Sequence, residues 1–346
     1  MATYTRKVQV TGKSTFIVSL PKDWAQSWNL RPGSEVEIER LPDGSLLVKP
    51  VAARREGETV KTIRVNPGTI DLLLTEILSA YLAGYNKIII EYESVDIHRV
   101  SNIVEEARKR ALGLEILEEQ YGKIELCTIT GPPTISVDRA FNRMISITKS
   151  MLENLSQALI TGDEALLDSI IERDTVVDKF FLLIMRELSM LLQGELTPKE
   201  AGIETLPEIL YKVISAKSIE RVADHAVLIA QILKTTRRDA VITDDLVELL
   251  EDAKKLFNKA STSLQLLDKQ KALEALEEAL AFREKEEKAR NAITITSYLP
   301  DTTAILDSIR RIAAYSRDLS EAVVSIAEVR TFASKQKRPF SNEEKV

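Results

Sequence analysis

Cysteine is nearly missing from this sequence. Cys127 is the only one, which excludes an intrachain disulfide and any cysteine-rich metal site. Histidine is almost as scarce, with His98 and His225 alone, so a metal site here must rely on oxygen ligands. Such ligands suit hard cations or carboxylate-bridged iron and manganese better than structural zinc. Aromatic residues make up 5% of the chain against 44% hydrophobic residues, a balance that points to a helix-rich globular protein. No apolar run approaches the roughly eighteen residues of a membrane span. The opening MATYTRKVQVTG has no signal-peptide core, so a cytoplasmic chain without membrane insertion is expected. Glycine-rich phosphate loops, dinucleotide fingerprints and nucleophile elbows are also missing. A non-enzymatic protein is the expectation.

What is present falls into regions of different pattern, and at 346 residues the chain exceeds one typical core. Residues 1–57 read as short strands with one brief helix: RKVQV and TFIVSL, then PKDWAQSWNL entered by Pro21, then SEVEIERL and SLLVKPV around an Asp-Gly turn. A unit of this size buries too little apolar surface to stand alone and needs a partner chain. The net charge of −6 argues against a chain coated in nucleic acid, yet residues 1–57 hold nine Lys/Arg against six Asp/Glu. Residues 58–131 alternate strand and helix patterns in the order β-α-β-α-β-β, a small α/β domain. That region has no cluster that marks a site; His98 near a helix start reads as a surface or capping residue.

From about residue 135 the strand signals vanish. Helical periodicity covers 135–161, 163–193, 205–235, 242–266, 269–294 and 301–332, enough for two antiparallel three-helix units at 132–236 and 237–335, followed by a polar tail at 336–346. The two units look duplicated: SIERVADHAVLIA aligns with SIRRIAAYSRDLS as S-I-x-R-[VI]-A, and LDSIIERDTVVDKF pairs loosely with LEEALAFREKEEKA.

Within the first unit, Asp174 and Asp178 stand at i and i+4, and so do Glu220 and Asp224. Each pair repels by roughly 0.2–0.5 kcal/mol on an isolated helix. Adjacent helices pack about 8–10 Å apart, close enough for facing carboxylates to share an ion. Without a cation, some of the four would have to protonate. Solvated acid pairs, a metal-dependent hydrolase or oxidase, and a scaffold that meets a basic partner all remain open on these residues.

Two resemblances narrow the reading. VQVTGKSTFIVSLPKDWAQSWNLRPGSEVEIERLPDGSLLVKP resembles the AbrB/SpoVT-type swapped-hairpin domain. That implies a two-chain β-barrel, a homodimer through residues 1–57, and DNA phosphate contacts from Arg6, Lys7, Lys13 and Lys22, or dimerisation alone. ERDTVVD and IERVADHAVLIA resemble the acidic signatures of the PhoU family of phosphate-uptake regulators, in the archaeal-type combination with such an N-terminal domain. The resemblance implies a multidomain, mainly α chain ending in tandem three-helix bundles. It places a bound metal ion (Fe, Mn, Mg or Zn) on Asp174, Asp178, Glu220 and Asp224. Glu172 sits where an acidic residue is common but lies off their face. A phosphate transporter or a signalling kinase is the implied partner. In the second repeat Arg310 replaces Glu220 and Ala314 replaces Asp224, while Glu284 is set on Asp174 and Lys288 on Asp178. One metal site per chain is therefore expected, with a salt-bridged or anion-facing patch at Arg310 and Lys288.

Overall fold

The computed structural model describes residues 3–12, 14–40, 44–51, 59–129, 135–236, 242–296 and 300–336. Lys13, part of the Asp-Gly turn and nearly all of the polar tail lie outside the described residues. The chain divides into two compact units, residues 1–57 with 334–346, and residues 58–333.

The N-terminal unit contains two antiparallel hairpins, β1 (Gln9–Thr11) with β2 (Thr15–Ile17) and β3 (Val36–Arg40) with β4 (Leu46–Pro50), plus helix α1 (Lys22–Ser27). Gly44 takes φ +85° in the second turn, a left-handed conformation suited to glycine. Among the residues from 3 to 51 whose side chains are described, none is buried. Val10, Phe16, Val18, Ile38 and Leu46 expose more than half of their surface. The alternation legible in the sequence thus has an apolar face with no core of its own in a single chain.

The larger unit opens with a four-stranded sheet of order β5-β6-β8-β7, made of β5 (Val60–Val65), β6 (Lys87–Tyr92), β7 (Leu114–Gln120) and β8 (Lys123–Thr128). β5 and β6 are parallel, joined through α2 (Leu73–Leu82); the β6–β8 and β8–β7 pairs are antiparallel. Helix α3 (Ile97–Arg110) starts where the Asp96 carboxylate accepts from the His98 backbone N–H at 3.0 Å, so His98 is an exposed first-turn residue.

Six long helices follow: α4 (Val137–Thr161), α5 (Glu164–Leu192), α7 (Glu208–Thr235), α8 (Asp244–Leu266), α9 (Lys269–Thr296) and α10 (Pro300–Gln336), with the short α6 (Pro198–Ala201) between α5 and α7. Their ends follow from local chemistry. Gly162 closes α4 in the left-handed region, and the next residue, Asp163, caps α5 by accepting from Ala165 N–H. Thr197 and Glu200 form a capping box on α6. One continuous apolar core runs from Val137 to Ile326 under all six long helices. The two repeats also touch each other: Lys254 on α8 bonds Glu153 on α4 at 3.0 Å, and Gln265 bonds Asn142 at 2.9 Å.

The small sheet domain is fastened to this bundle by α5. The C-terminal carbonyls of α2 lack intrahelical donors, and α5 supplies them: the Arg186 guanidinium donates to the carbonyls of Tyr81 and of Gly84 (3.3 Å), and Gln193 donates to Ala83 at 3.0 Å. Arg186 is 4% exposed and lies 4.8 Å over the Tyr81 ring, so it is a buried cation held by carbonyls and a π face. Arg186→Ala leaves these carbonyls without their charged donor and is expected to lower stability by about 2–3 kcal/mol. Hydrogen exchange should quicken first in α2, and unchanged α2 protection in a folded variant would contradict the clamp.

Candidate functional site

Asp174 and Asp178 lie one turn apart on α5, and Glu220 and Asp224 one turn apart on α7, helices that pack against each other in the first bundle. All four are partly or fully shielded; Glu220 is 8% exposed. Burial pushes the Asp174 carboxyl up to about 7, and the negative fields of Asp178, Asp224 and Glu220 add to that rise. Burial likewise raises Asp178, with Asp224 acting in the same direction. Glu220 is raised by burial against the opposing hydrogen bond from Lys217. The structure thus brings all four predicted carboxylates into one mutually repelling cluster.

Three cations hold that cluster in check. The Lys217 ammonium donates to Glu220 Oε1 at 2.5 Å, and Arg221 bonds Asp224 Oδ2 at 3.0 Å. The third, Arg110, comes from the last turn of α3 in the sheet domain, where it also bonds Glu106 at 2.7 Å; its positive field lowers the carboxyls of both Asp174 and Asp178. The i, i+3 spacing of Lys217 to Glu220 and Arg221 to Asp224 was readable from the sequence. Arg110 was not, because only the docking of two domains places it here.

The balance is incomplete. Asp174 Oδ1 and Glu220 Oε2 are buried oxygens with no hydrogen-bond donor among the described residues. Glu172 is exposed. As the side chains stand, no group of three or more His, Cys, Asp or Glu among the described residues is poised to hold a metal ion. The donor set itself, four carboxylates with two buried oxygens that accept no hydrogen bond, has the chemistry of a hard-cation site. His225 faces elsewhere: its ring stacks on Tyr315 of α10 at 5.9 Å between centroids, and burial lowers its pKa.

Burial patterns fix the register of the second repeat. Capping Asp163 falls on Asp268, which accepts from Lys271 N–H, and buried Leu167, Ile170 and Val177 fall on buried Ala272, Ala275 and Phe282. On α7 and α10, buried Ile219, Val222, Ala223 and Ile229 fall on buried Ile309, Ile312, Ala313 and Leu319. The counterparts of Asp174, Asp178, Glu220 and Asp224 are therefore Ala279, Arg283, Arg310 and Ala314. The pairing on α7 and α10 agrees with the sequence alignment, but Glu284 and Lys288 are not the counterparts on α9. Both are exposed. The loose α5/α9 similarity slipped because charged residues crowd α9 and leave few apolar positions to anchor it. His225 and Tyr315 are themselves counterparts, and they touch.

In the N-terminal unit Arg6, Lys7 and Lys22 are exposed. The Tyr4 hydroxyl bonds Asp23 at the start of α1, and the Arg6 guanidinium lies 5.7 Å from the Tyr4 ring.

Comparison with known sequences places these elements. The PhoU domain model matches residues 141–233, the span that holds all four carboxylates. The chain carries a PhoU domain. The model described as antidote-toxin recognition MazE, bacterial antitoxin, matches residues 9–56, a MazE/AbrB-like N-terminal domain. A relative from Caulobacter vibrioides, a phosphate-specific transport system accessory protein PhoU homolog, is 26% identical over 186 residues, 52% of this chain and 74% of the relative. Among solved structures, PhoU from Pseudomonas aeruginosa aligns with TM-score 0.50 and 19% identity over 56% of this chain and 96% of that one, a likeness of fold. No helix among the described residues is long and apolar enough to cross a membrane.

The raised Asp174 carboxyl gives a pH signature. Its folded pKa of about 7 lies above the ordinary 3.8, so the unfolded chain ionises first and stability falls as pH rises between these values. In metal-free buffer, Asp174→Asn is expected to match the parent below about pH 4. At pH 8 it should exceed the parent by about 2 kcal/mol, allowing for partial exposure. Denaturant titrations at both pH values check this; a variant less stable at pH 8 would refute the repulsive cluster.

Proposed function

We propose that this chain is a PhoU-type regulator of phosphate transport. In this reading the acidic face of the first bundle takes a metal ion, and the N-terminal unit pairs two chains and carries a basic surface to DNA. The observation that carries the reading is the cluster of Asp174, Asp178, Glu220 and Asp224 inside the span matched by the PhoU domain, with two buried oxygens left without donors. Support for the transport role comes from the relative whose name links it to a phosphate-specific transport system. The partner is accordingly a component of such a transporter or a kinase that signals with it, and no catalytic step is assigned.

The cation is a divalent or trivalent ion of the iron, manganese, magnesium or zinc class. Bound there, it would supply positive charge that relieves the repulsion among the four carboxylates. Elemental analysis of the purified full chain tests this. About one bound equivalent is expected in the parent, one site being implied by a single acidic face. Loss is expected in Asp224→Ala, and retention in the exposed Glu172→Ala. Full occupancy in Asp224→Ala would defeat the assignment, and metal-dependent ester hydrolysis abolished by Glu220→Ala would favour an enzyme instead.

Pairing through residues 1–57 is supported by the apolar side chains that the single hairpins leave in solvent, Phe16 at 73% exposure among them. DNA contact is supported by exposed Arg6, Lys7 and Lys22. Each phosphate contact adds about 0.9 to the salt slope of affinity. Alanine at Arg6 or Lys22 should therefore weaken binding across all sequences and flatten that slope by about one unit. An affinity indifferent to salt would leave the unit as a dimerisation device.

A further inference from the structure

The surface of the second bundle that corresponds to the carboxylate cluster is a groove between α9 and α10, with a volume of about 490 Å³. Ala279, Arg283, Arg310 and Ala314, the four counterparts of the acidic residues, all line it. Arg290 and Arg317 line it as well. Where the first repeat has two acid pairs, the second has two alanines that open space and two arginines that face each other from different helices. The neighbouring ion pair is inverted too. Lys217 falls on Asp307 and Glu220 on Arg310, so an ammonium–carboxylate contact of 2.5 Å becomes a carboxylate–guanidinium approach of 3.9 Å.

Of the three acids that line the groove, Glu287 is exposed and the other two are held by Arg290 of the same groove. Glu286, 5% exposed, accepts two bonds from Arg290 at 2.8 and 2.6 Å, and Asp307 accepts a third from Arg290 at 2.8 Å. Arg317 is held by Glu321, which does not line the groove. Arg310 thus has only the distant edge of an already shared carboxylate. Arg283 makes no hydrogen bond or ion pair with the described residues. Both guanidinium groups are exposed at the mouth, over a floor that includes Phe282 and Ala313.

We infer that this groove is a binding site for a small phosphate-bearing anion that carries more than one phosphate. A planar guanidinium matches phosphate oxygens in bidentate fashion, and two such forks on facing helices, with Arg317 beyond, address several oxygens at once. The volume falls in the range of small-molecule pockets, about 300–1,000 Å³, and exceeds what one orthophosphate fills. An apolar floor beside the charges suits a phosphorylated molecule with an organic portion. The groove is built only from residues of the second bundle and does not depend on a metal in the first.

Calorimetric titration of the full chain with orthophosphate, pyrophosphate and ATP, in magnesium-free buffer, tests the site. Saturable binding of pyrophosphate or ATP, tighter than orthophosphate, is the expected result. Arg283→Gln and Arg310→Gln should each weaken it about tenfold or more, the loss expected for a charged hydrogen-bonded contact. Arg311→Gln, exposed on α10 but not lining the groove, and Asp174→Asn in the other bundle should leave it unchanged. Circular dichroism establishes that the groove variants fold. The proposal is overturned if no probe binds saturably, if Arg283→Gln and Arg310→Gln bind like the parent, or if orthophosphate binds more tightly than pyrophosphate. Binding abolished by Asp174→Asn but not by Arg283→Gln would place the ligand in the first bundle and likewise overturn it.

Discussion

The shared core beneath the two three-helix repeats is the constraint on which the rest depends. On α7 and α10 the inward positions are small or branched aliphatics, from Ala216 and Ile219 to Ile309 and Leu319, packed at or near zero exposure. Interiors packed to this density leave little freedom to move a helix or shift its register. The outward positions above that core are consequently fixed in space but free in chemistry. In the first bundle they present carboxylates that repel one another; in the second, arginines and alanines at the same places. The difference in charge between the two faces is a difference of side chains on one backbone plan.

The sheet domain takes part in this plan. Arg186 and Gln193 of α5 cap the end of α2, and Arg110 at the end of α3 extends its field onto Asp174 and Asp178. A helix C-terminus favours basic residues, and α3 ends in Arg108, Lys109 and Arg110. The residue that suits the end of one helix thus also offsets the charge of another. A shift of the sheet domain against α5 would change the electrostatics of the cluster without altering any carboxylate.

Much of this was legible in the sequence where chemistry is local. The six long helices follow from periodicity, and TGDE marks the α4/α5 boundary because Gly162 tolerates the left-handed conformation and Asp163 caps. The α/β order of the middle region and the two acid pairs were also readable, and the family match covers those pairs. What escaped was nonlocal. Arg110 and Arg186 act across a domain junction, which no spacing rule records. The α5/α9 register slipped because α9 is dominated by charge and the few buried positions among its described side chains, Ala272, Ala275, Phe282 and Glu286, include a polar one. Burial, rather than residue type, carried that alignment.

His225 and Tyr315 occupy equivalent places in the two repeats and stack on each other. Contact between equivalent positions is also what a symmetric pair of identical chains shows at its centre. Here, however, both halves belong to one polypeptide. Identical chains must repeat every substitution on both sides of their axis. A covalently joined pair is released from that obligation, so one side can turn acidic and the other basic while the buried positions beneath them stay matched.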